Sequence, residues 1–402
     1  MTPGNTIIGT GIATGVATGS SRISMVDALR GWALLGLFLV HCVERFQMYG
    51  LALWNDASLS WIFFLFGGKS YALFAMLFGF SFATIMGNER KRGGDFTWRF
   101  VWRLVLLLGF GTVHAMLYRG EILQVLAVIG LLLIPFDRVK SDRMLLALAM
   151  LAFLQLPHFV RLLAAEAGQG WALANPLYFT AGDLRTLSEG TFWQATVDNI
   201  TGGTVAKWSY YLEAGRVTQI VGLFFVGMVA QRRGWLAEAG AHKGALLAVT
   251  AAGGLVWAFG PGLAGWLTGD PGSPAGQRLA QQIGNLWGQL GGTAVHAAVF
   301  ALVWHSPLRV LVGWLAAPGR MTLTLYIGQS LIGTTLLFGW GFGLWNAFSP
   351  TVMMLGGIVL YGLQAVFAAL WFRRYRFGPL EWLWRAATRG TWAMGNRQPK
   401  PA

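Results

Sequence analysis

The run LRGWALLGLFLVHCVERF, from Leu29 to Phe46, is apolar over the length of helix that crosses the hydrocarbon core of a bilayer. It is the first of several such runs, and they constrain the chain more than any other feature. Inside a bilayer every backbone amide and carbonyl has to be satisfied within the protein, so a chain built of such runs folds as a bundle of helices. Composition agrees, with 55% of the 402 residues hydrophobic and 11% charged, against roughly a quarter charged in soluble domains. The reading is an all-α, polytopic membrane protein.

Ten spans fit the hydropathy, at 27–47, 59–87, 98–118, 121–136, 143–162, 208–231, 244–268, 285–304, 321–341 and 351–372. Of the 30 Lys and Arg residues, 22 fall on the side of the two termini. Six (Arg45, Arg119, Arg161, Arg185, Lys207 and Arg278) fall on the other, and Lys69 and Arg216 lie within spans. The positive-inside bias then makes both termini cytoplasmic. It also explains the net charge of +14 without a nucleic-acid partner, because the basic residues sit between apolar runs. Residues 1–21, rich in Gly, Thr and Ala and unlike a signal peptide, are expected to form a disordered tail. Residues 22–386 form the bundle, with 163–207 as an outer loop carrying short helices, and 387–402 form a basic C-terminal tail.

Arg30 and His41 are eleven residues apart, so they share one helix face and lie about 16 Å apart along the axis. Asp27, Leu34 and Leu37 fall on or near the same stripe. The third span repeats the pattern with Arg103 and His114, again eleven apart. Both spans run from inside to outside. Each therefore presents an arginine at the cytoplasmic mouth and a histidine beyond the midplane, like two walls of one path. Arginines at helix ends also serve as topology anchors, and a membrane histidine can simply bond a neighbouring helix. Ionisable residues within spans nevertheless usually face a cavity or substrate route.

The remaining polar residues of the spans gather on the outer side. Glu121 follows His114 across a short turn, where a carboxylate can orient an imidazole. Glu44, Gln124, Glu213 and Arg216 are candidate substrate contacts, although Glu213 and Arg216 can also neutralise each other. Lys69 either snorkels or lines the cavity, and His296 is a further candidate for the path. The single cysteine, Cys42, excludes an intramolecular disulfide and a cysteine metal cluster. No compact ligand spacing points to a metal.

Four blocks carry a family resemblance: DALRGWALLGLFLVH (27–41), SYALFAMLFGFSFATIM (70–86), RLVLLLGFGTVHAMLYRGEILQVLAVIGLLLIP (103–135), and GRMTLTLYIGQSLIGTTLLFG (319–339) with RFGPLEWLWR (376–385). They resemble the YeiB-type (DUF418-like) family of bacterial multi-spanning proteins. That family is similar to transmembrane acyltransferases, among them heparan-glucosaminide acetyltransferase and the bacterial sugar O-acyltransferases. The sugar O-acyltransferases share an Arg-x10-His motif that matches Arg30 and His41. Many YeiB-type chains have Asn in place of His41, and Asp in place of Glu121 within the GEIL turn.

The resemblance implies an acyltransferase of the bacterial inner membrane. Acyl-CoA, with acetyl-CoA as the leading candidate, is its donor, and the acceptor is a glycan, lipid headgroup or small metabolite. The phosphates of the donor are expected at Arg30, Arg103 and Arg320, because a guanidinium fork donates paired hydrogen bonds to phosphate. His41, His114 and Glu121 are expected at the reacting end, and a homodimer is compatible with the sequence. The competing reading is a transporter of a small amphiphile, which the parallel rather than inverted Arg-to-His repeat does not favour.

Overall fold

The computed structural model describes residues 24–48, 56–179, 181–269 and 271–398. The expected tail at 1–21 lies outside them. The first half of the chain comprises α1 (Ser24–Val43), α2 (Ala57–Phe66), α3 (Ser70–Lys91), α4 (Thr97–Leu117), α5 (Leu123–Gly130), α6 (Leu133–Phe136), α7 (Asp142–Phe153) and α8 (Leu156–Glu166). The expected outer loop holds α9 (Gly170–Leu173), α10 (Leu184–Glu189), α11 (Phe192–Ile200) and the first half of α12 (Gly202–Glu213). The remainder comprises α13 (Arg216–Arg232), α14 (Lys243–Thr268), α15 (Pro274–Trp304), α16 (Ala316–Arg320), α17 (Thr322–Leu337), α18 (Pro350–Arg374) and α19 (Pro379–Arg389). Short 3-10 turns link several of them, and an isolated bridge between Tyr375 and Arg397 is the one β-type pairing among the described residues.

Seven segments are long and apolar enough to cross a membrane: Ser24–Val43, Ala57–Lys91, Thr97–Leu117, Asp142–Glu166, Lys243–Thr268, Pro274–Trp304 and Pro350–Arg374. An eighth arises if Phe192–Glu213 and Arg216–Arg232, which meet at a 65° bend, count as one span. Five of the ten expected spans are broken or short. Span 59–87 is interrupted between α2 and α3, 121–136 divides into α5 and α6, and 143–162 is interrupted at Gln155 between α7 and α8. Span 208–231 is cut at Gly215, whose φ of +68° precedes α13, and 321–341 reduces to the 16 residues of α17. A sliding hydropathy average passes over one or two left-handed or turn residues that interrupt the helix.

Local sequence explains many helix starts. Asp56, Ser141, Ser273 and Ser349 each accept a backbone N–H of the first turn of the helix that follows, and Pro274 and Pro350 occupy first-turn positions that need no N–H. On α14, Leu255, Phe259, Leu263 and Trp266 form an exposed stripe with helical spacing, as expected of a lipid-facing surface. The helix α1, by contrast, is buried on nearly every side. A side chain at Gly31 would strike the Leu315 carbonyl, and one at Gly319 would strike that of Asp27. The two glycines therefore let α1 and α16 cross at backbone contact, the usual way membrane helices pack tightly.

Residues 387–398, the described part of the basic C-terminal tail, include the end of α19 and a return segment. Within it the Arg376 N–H donates to the Asn396 carbonyl at 2.7 Å and Gln398 to that of Arg374 at 2.8 Å. The RFGPLEWLWR block has a structural role here. Glu381 accepts the Leu323 and Thr324 amides at 2.7 and 3.1 Å, capping α17, while the Trp384 indole donates to the Arg103 carbonyl at 2.9 Å.

Candidate active site

His41, near the end of α1, and His114, in the last turn of α4, meet in one aromatic cluster. The His41 ring centroid lies 5.1 Å from Tyr118 and 6.4 Å from Tyr326, and that of His114 lies 6.0 and 4.9 Å from the same two rings. Tyr118 follows α4 directly, and Tyr326 comes from α17. The Tyr326 hydroxyl accepts the Ile122 N–H at 3.3 Å, which ties α17 to the GEIL turn. Neither tyrosine was singled out from sequence, although both lie inside the quoted blocks.

The two histidines differ in access. His41 lines a cavity of about 860 Å³, whose wall also includes Leu37, Glu44, Lys69, Tyr71, Arg119, Lys207, Tyr211, Arg216, Gln289 and Tyr326. His114 is 1% exposed and does not line it. Both of its ring nitrogens, and the Tyr118 hydroxyl, lack a hydrogen-bond partner among the described residues. Buried polar atoms without partners are uncommon enough to mark a site.

Glu121 does not orient an imidazole, which corrects the expectation from sequence. Its carboxylate receives the Lys207 ammonium at 2.8 Å, the Leu123 amide at 2.7 Å and the Gln124 amide at 3.2 Å. The amides belong to the start of α5, where a carboxylate complements the helix dipole. Lys207 also donates to the Gln124 side chain, which bonds Thr112 in turn at 3.1 Å. Glu121 and Gln124 thus hold the α4–α5 turn and α12 together. Lys207, read from sequence only as an outer-loop charge, is the partner that sequence reasoning missed.

The arginines lie apart from the cavity. Arg30 donates to Asp27 at 2.9 Å and to Ser81 at 2.8 Å. The Arg103 guanidinium stacks 3.6 Å from the centre of the Trp384 ring, within Coulombic reach of Arg30, Arg385 and Arg389. Arg320 stacks over Phe372 at 3.9 Å and donates to the Arg376 carbonyl at 3.3 Å. None of the three lines the cavity, and Leu34 and Leu107, one helical turn on from Arg30 and Arg103, are buried core. The two stripes are therefore not two walls of one path: only the His41 end of the α1 stripe, Leu37 and His41, reaches open volume.

Glu213 and Arg216 do not pair. Glu213 accepts the Leu177 amide at 2.9 Å, while Arg216 is held by Tyr71, Tyr210, Gln219 and Gln289. Lys69 lines the cavity rather than snorkelling. His296 does not line it; it accepts from the Trp32 indole at 3.4 Å and packs against Phe66. Among the described residues no three His, Cys, Asp or Glu side chains converge as a metal site.

Residues 22–187, which contain Arg30, His41, Arg103, His114 and Glu121, match the family described as "Heparan-alpha-glucosaminide N-acetyltransferase, catalytic". Residues 230–391, which contain Tyr326 and Trp384, match "Protein of unknown function (DUF418)". The chain, a multi-pass membrane protein by its apolar helices, thus joins an acyltransferase-like N-terminal domain to a DUF418 (YeiB-type) C-terminal domain. It is 27% identical to "Uncharacterized protein YxaH" of Bacillus subtilis (strain 168), over 93% of this chain and 96% of that one. It is 26% identical to "Uncharacterized protein YeiB" of Escherichia coli (strain K12), over 90% and 95%. No solved structure matches the chain.

Proposed function

We propose that the protein is an acyltransferase of the bacterial inner membrane, moving an acyl group from cytoplasmic acyl-CoA to a hydroxyl or amine presented from the outer side. The observation that carries this reading is the position of His41, on the wall of the cavity and in the aromatic cluster it shares with His114. The match to an acetyltransferase catalytic family over the same residues supports it. In this reading the chain crosses ten times, with α5–α6, α13 and α17 completing the seven long spans, and the 22-to-6 distribution of Lys and Arg sets both termini inside.

The fit to the donor is electrostatic. Arg30, Arg103, Arg385 and Arg389 gather near one end of α4, a charge suited to the phosphates of CoA. Leu37 brings the cavity to within seven residues of Arg30, about 10 Å along the helix. His41 faces the cavity and takes the proton of the acceptor hydroxyl as its oxygen attacks the thioester carbonyl. The new C–O bond forms, the C–S bond breaks, and His41 returns the proton to the departing thiolate. His114, shut off from the cavity, acts by packing Tyr118 and Tyr326 around His41. Raised thermal stability of the detergent-purified protein with acetyl-CoA, absent with ATP, tests donor binding. Equal effects of the two would sink the donor assignment.

A further inference from the structure

Two cations of the cavity have no acid to neutralise them. Lys69, at the start of α3, donates to the Phe63 and Gly67 carbonyls at 3.3 and 3.1 Å and lies 5.0 Å from the centre of the Trp257 ring. Arg216 is held by neutral groups alone, the Tyr71 hydroxyl at 2.8 Å, the Tyr210 hydroxyl at 3.2 Å and the side chains of Gln219 and Gln289. Neither makes an ion pair among the described residues, and each lies within reach of the other's repulsion. The other two cations of the lining, Arg119 and Lys207, pair with Asp198 and Glu121, and Glu44 is the one carboxylate of the lining. Uncompensated charge at membrane depth is costly, and a fixed anionic ligand would offset it.

A second cavity of about 310 Å³ shares Arg216 and Gln289 with the first, and its lining contains Arg161 and Arg278 but no carboxylate. Arg161 and Arg278 belong to the outer side in the topology proposed above. The two cavities, with Glu44 as the one carboxylate of their lining, thus make a predominantly cationic route from the outer side, past Arg216, to Lys69. Such a route concentrates anions.

We infer that Lys69 and Arg216 form an anion site, and that the molecule occupying the cavity carries a phosphate or carboxylate at one end. Under the acyltransferase reading, on which this identification of the acceptor rests, its other end is the hydroxyl or amine that meets His41. The anion has two sources, a free polyol phosphate or the headgroup of an anionic phospholipid.

The test uses the full chain in phosphatidylcholine nanodiscs without CoA, titrated with glycerol phosphate and, in parallel, with glycerol. Glycerol phosphate binds and glycerol does not. Lys69→Gln and Arg216→Gln each weaken binding by about tenfold or more, Lys69→Arg by only a few-fold, and Arg278→Gln by a few-fold, with an effect that fades at high salt. The arginine variant retains the charge and so controls for folding. A Lys69-dependent difference that appears only when phosphatidylglycerol replaces phosphatidylcholine assigns the site to a lipid headgroup. Equal binding of glycerol, unchanged affinity in both glutamine variants, or no binding of either anion overturns the site. Because CoA is absent, anion binding that survives a failure of acyl transfer leaves this site standing. Acyl transfer to an anionic acceptor at an unchanged rate in Lys69→Gln sinks the anion site alone.

Discussion

The Lys207 ammonium lies 2.8 Å from the Glu121 carboxylate, and both side chains are almost wholly shielded from solvent. Breaking such a buried pair from one side leaves an uncompensated charge, a loss of about 3–5 kcal/mol, whereas replacing both partners is far milder. Glu121→Gln and Lys207→Met are therefore expected each to lower the unfolding temperature sharply, and the double variant to recover much of it. Single variants that melt like the native chain, while losing all activity, would move Glu121 back into the chemistry.

Arg30 is engaged by both Asp27 and Ser81, which fix its guanidinium at the end of α1. Arg30→Gln is expected to weaken acyl-CoA binding by about tenfold, and Arg30→Lys by less, because an ammonium supplies charge but not the planar fork. Equilibrium binding in detergent checks this. Native affinity in the glutamine variant would remove Arg30 from the donor site.

The orientation is open to single-cysteine labelling, since Cys42 is 3% exposed and gives a silent background. Glu189→Cys, at the end of α10, should react with an impermeant maleimide from outside intact cells, and Arg92→Cys, after α3, only once the membrane is breached. The reverse pattern inverts the topology and moves the cavity to the cytoplasmic side.

Asp56 joins α2 to α18, accepting the Ser58 amide at 2.8 Å and the Thr351 hydroxyl at 2.9 Å. These bonds, those of Ser58 foremost, hold its pKa at about 2, below the ordinary 3.8. A depressed carboxylate pKa stabilises the fold above the ordinary value, and that contribution fades as pH falls from about 4 towards 2. Melting curves taken across that window should show a steeper acid loss for the native chain than for Asp56→Asn. Parallel curves would mean that the clamp adds nothing.

Hydropathy and charge bias made the helical membrane fold legible, because both act on whole runs of residues. The breaks at Gly215 and between α5 and α6 were not, since a turn of one or two residues leaves a window average unchanged. The meeting of His41 and His114 was legible from equal depth in parallel helices. What blurred the site was partner choice. Sequence placed Glu121 near His114, but Lys207, 86 residues further on, claims its carboxylate. Tyr118 and Tyr326, which surround the histidines, carry no charge and left no mark in the spacing. Trp384 stacking on Arg103 belongs to a block whose sequence was conspicuous but whose partner lies 281 residues away.

If His41 performs acyl transfer at the cavity wall, as proposed, transfer is lost with its imidazole while donor binding remains. The direct measurement incubates nanodisc-held protein with radiolabelled acetyl-CoA and bacterial envelope extract, then follows label into acceptor for the native chain, His41→Ala and His114→Phe. Label transfer is expected for the native chain, a partial rate for His114→Phe and none for His41→Ala, although all three bind acetyl-CoA. Transfer by His41→Ala at the native rate, or no transfer by a native chain that binds the donor, would contradict the proposal.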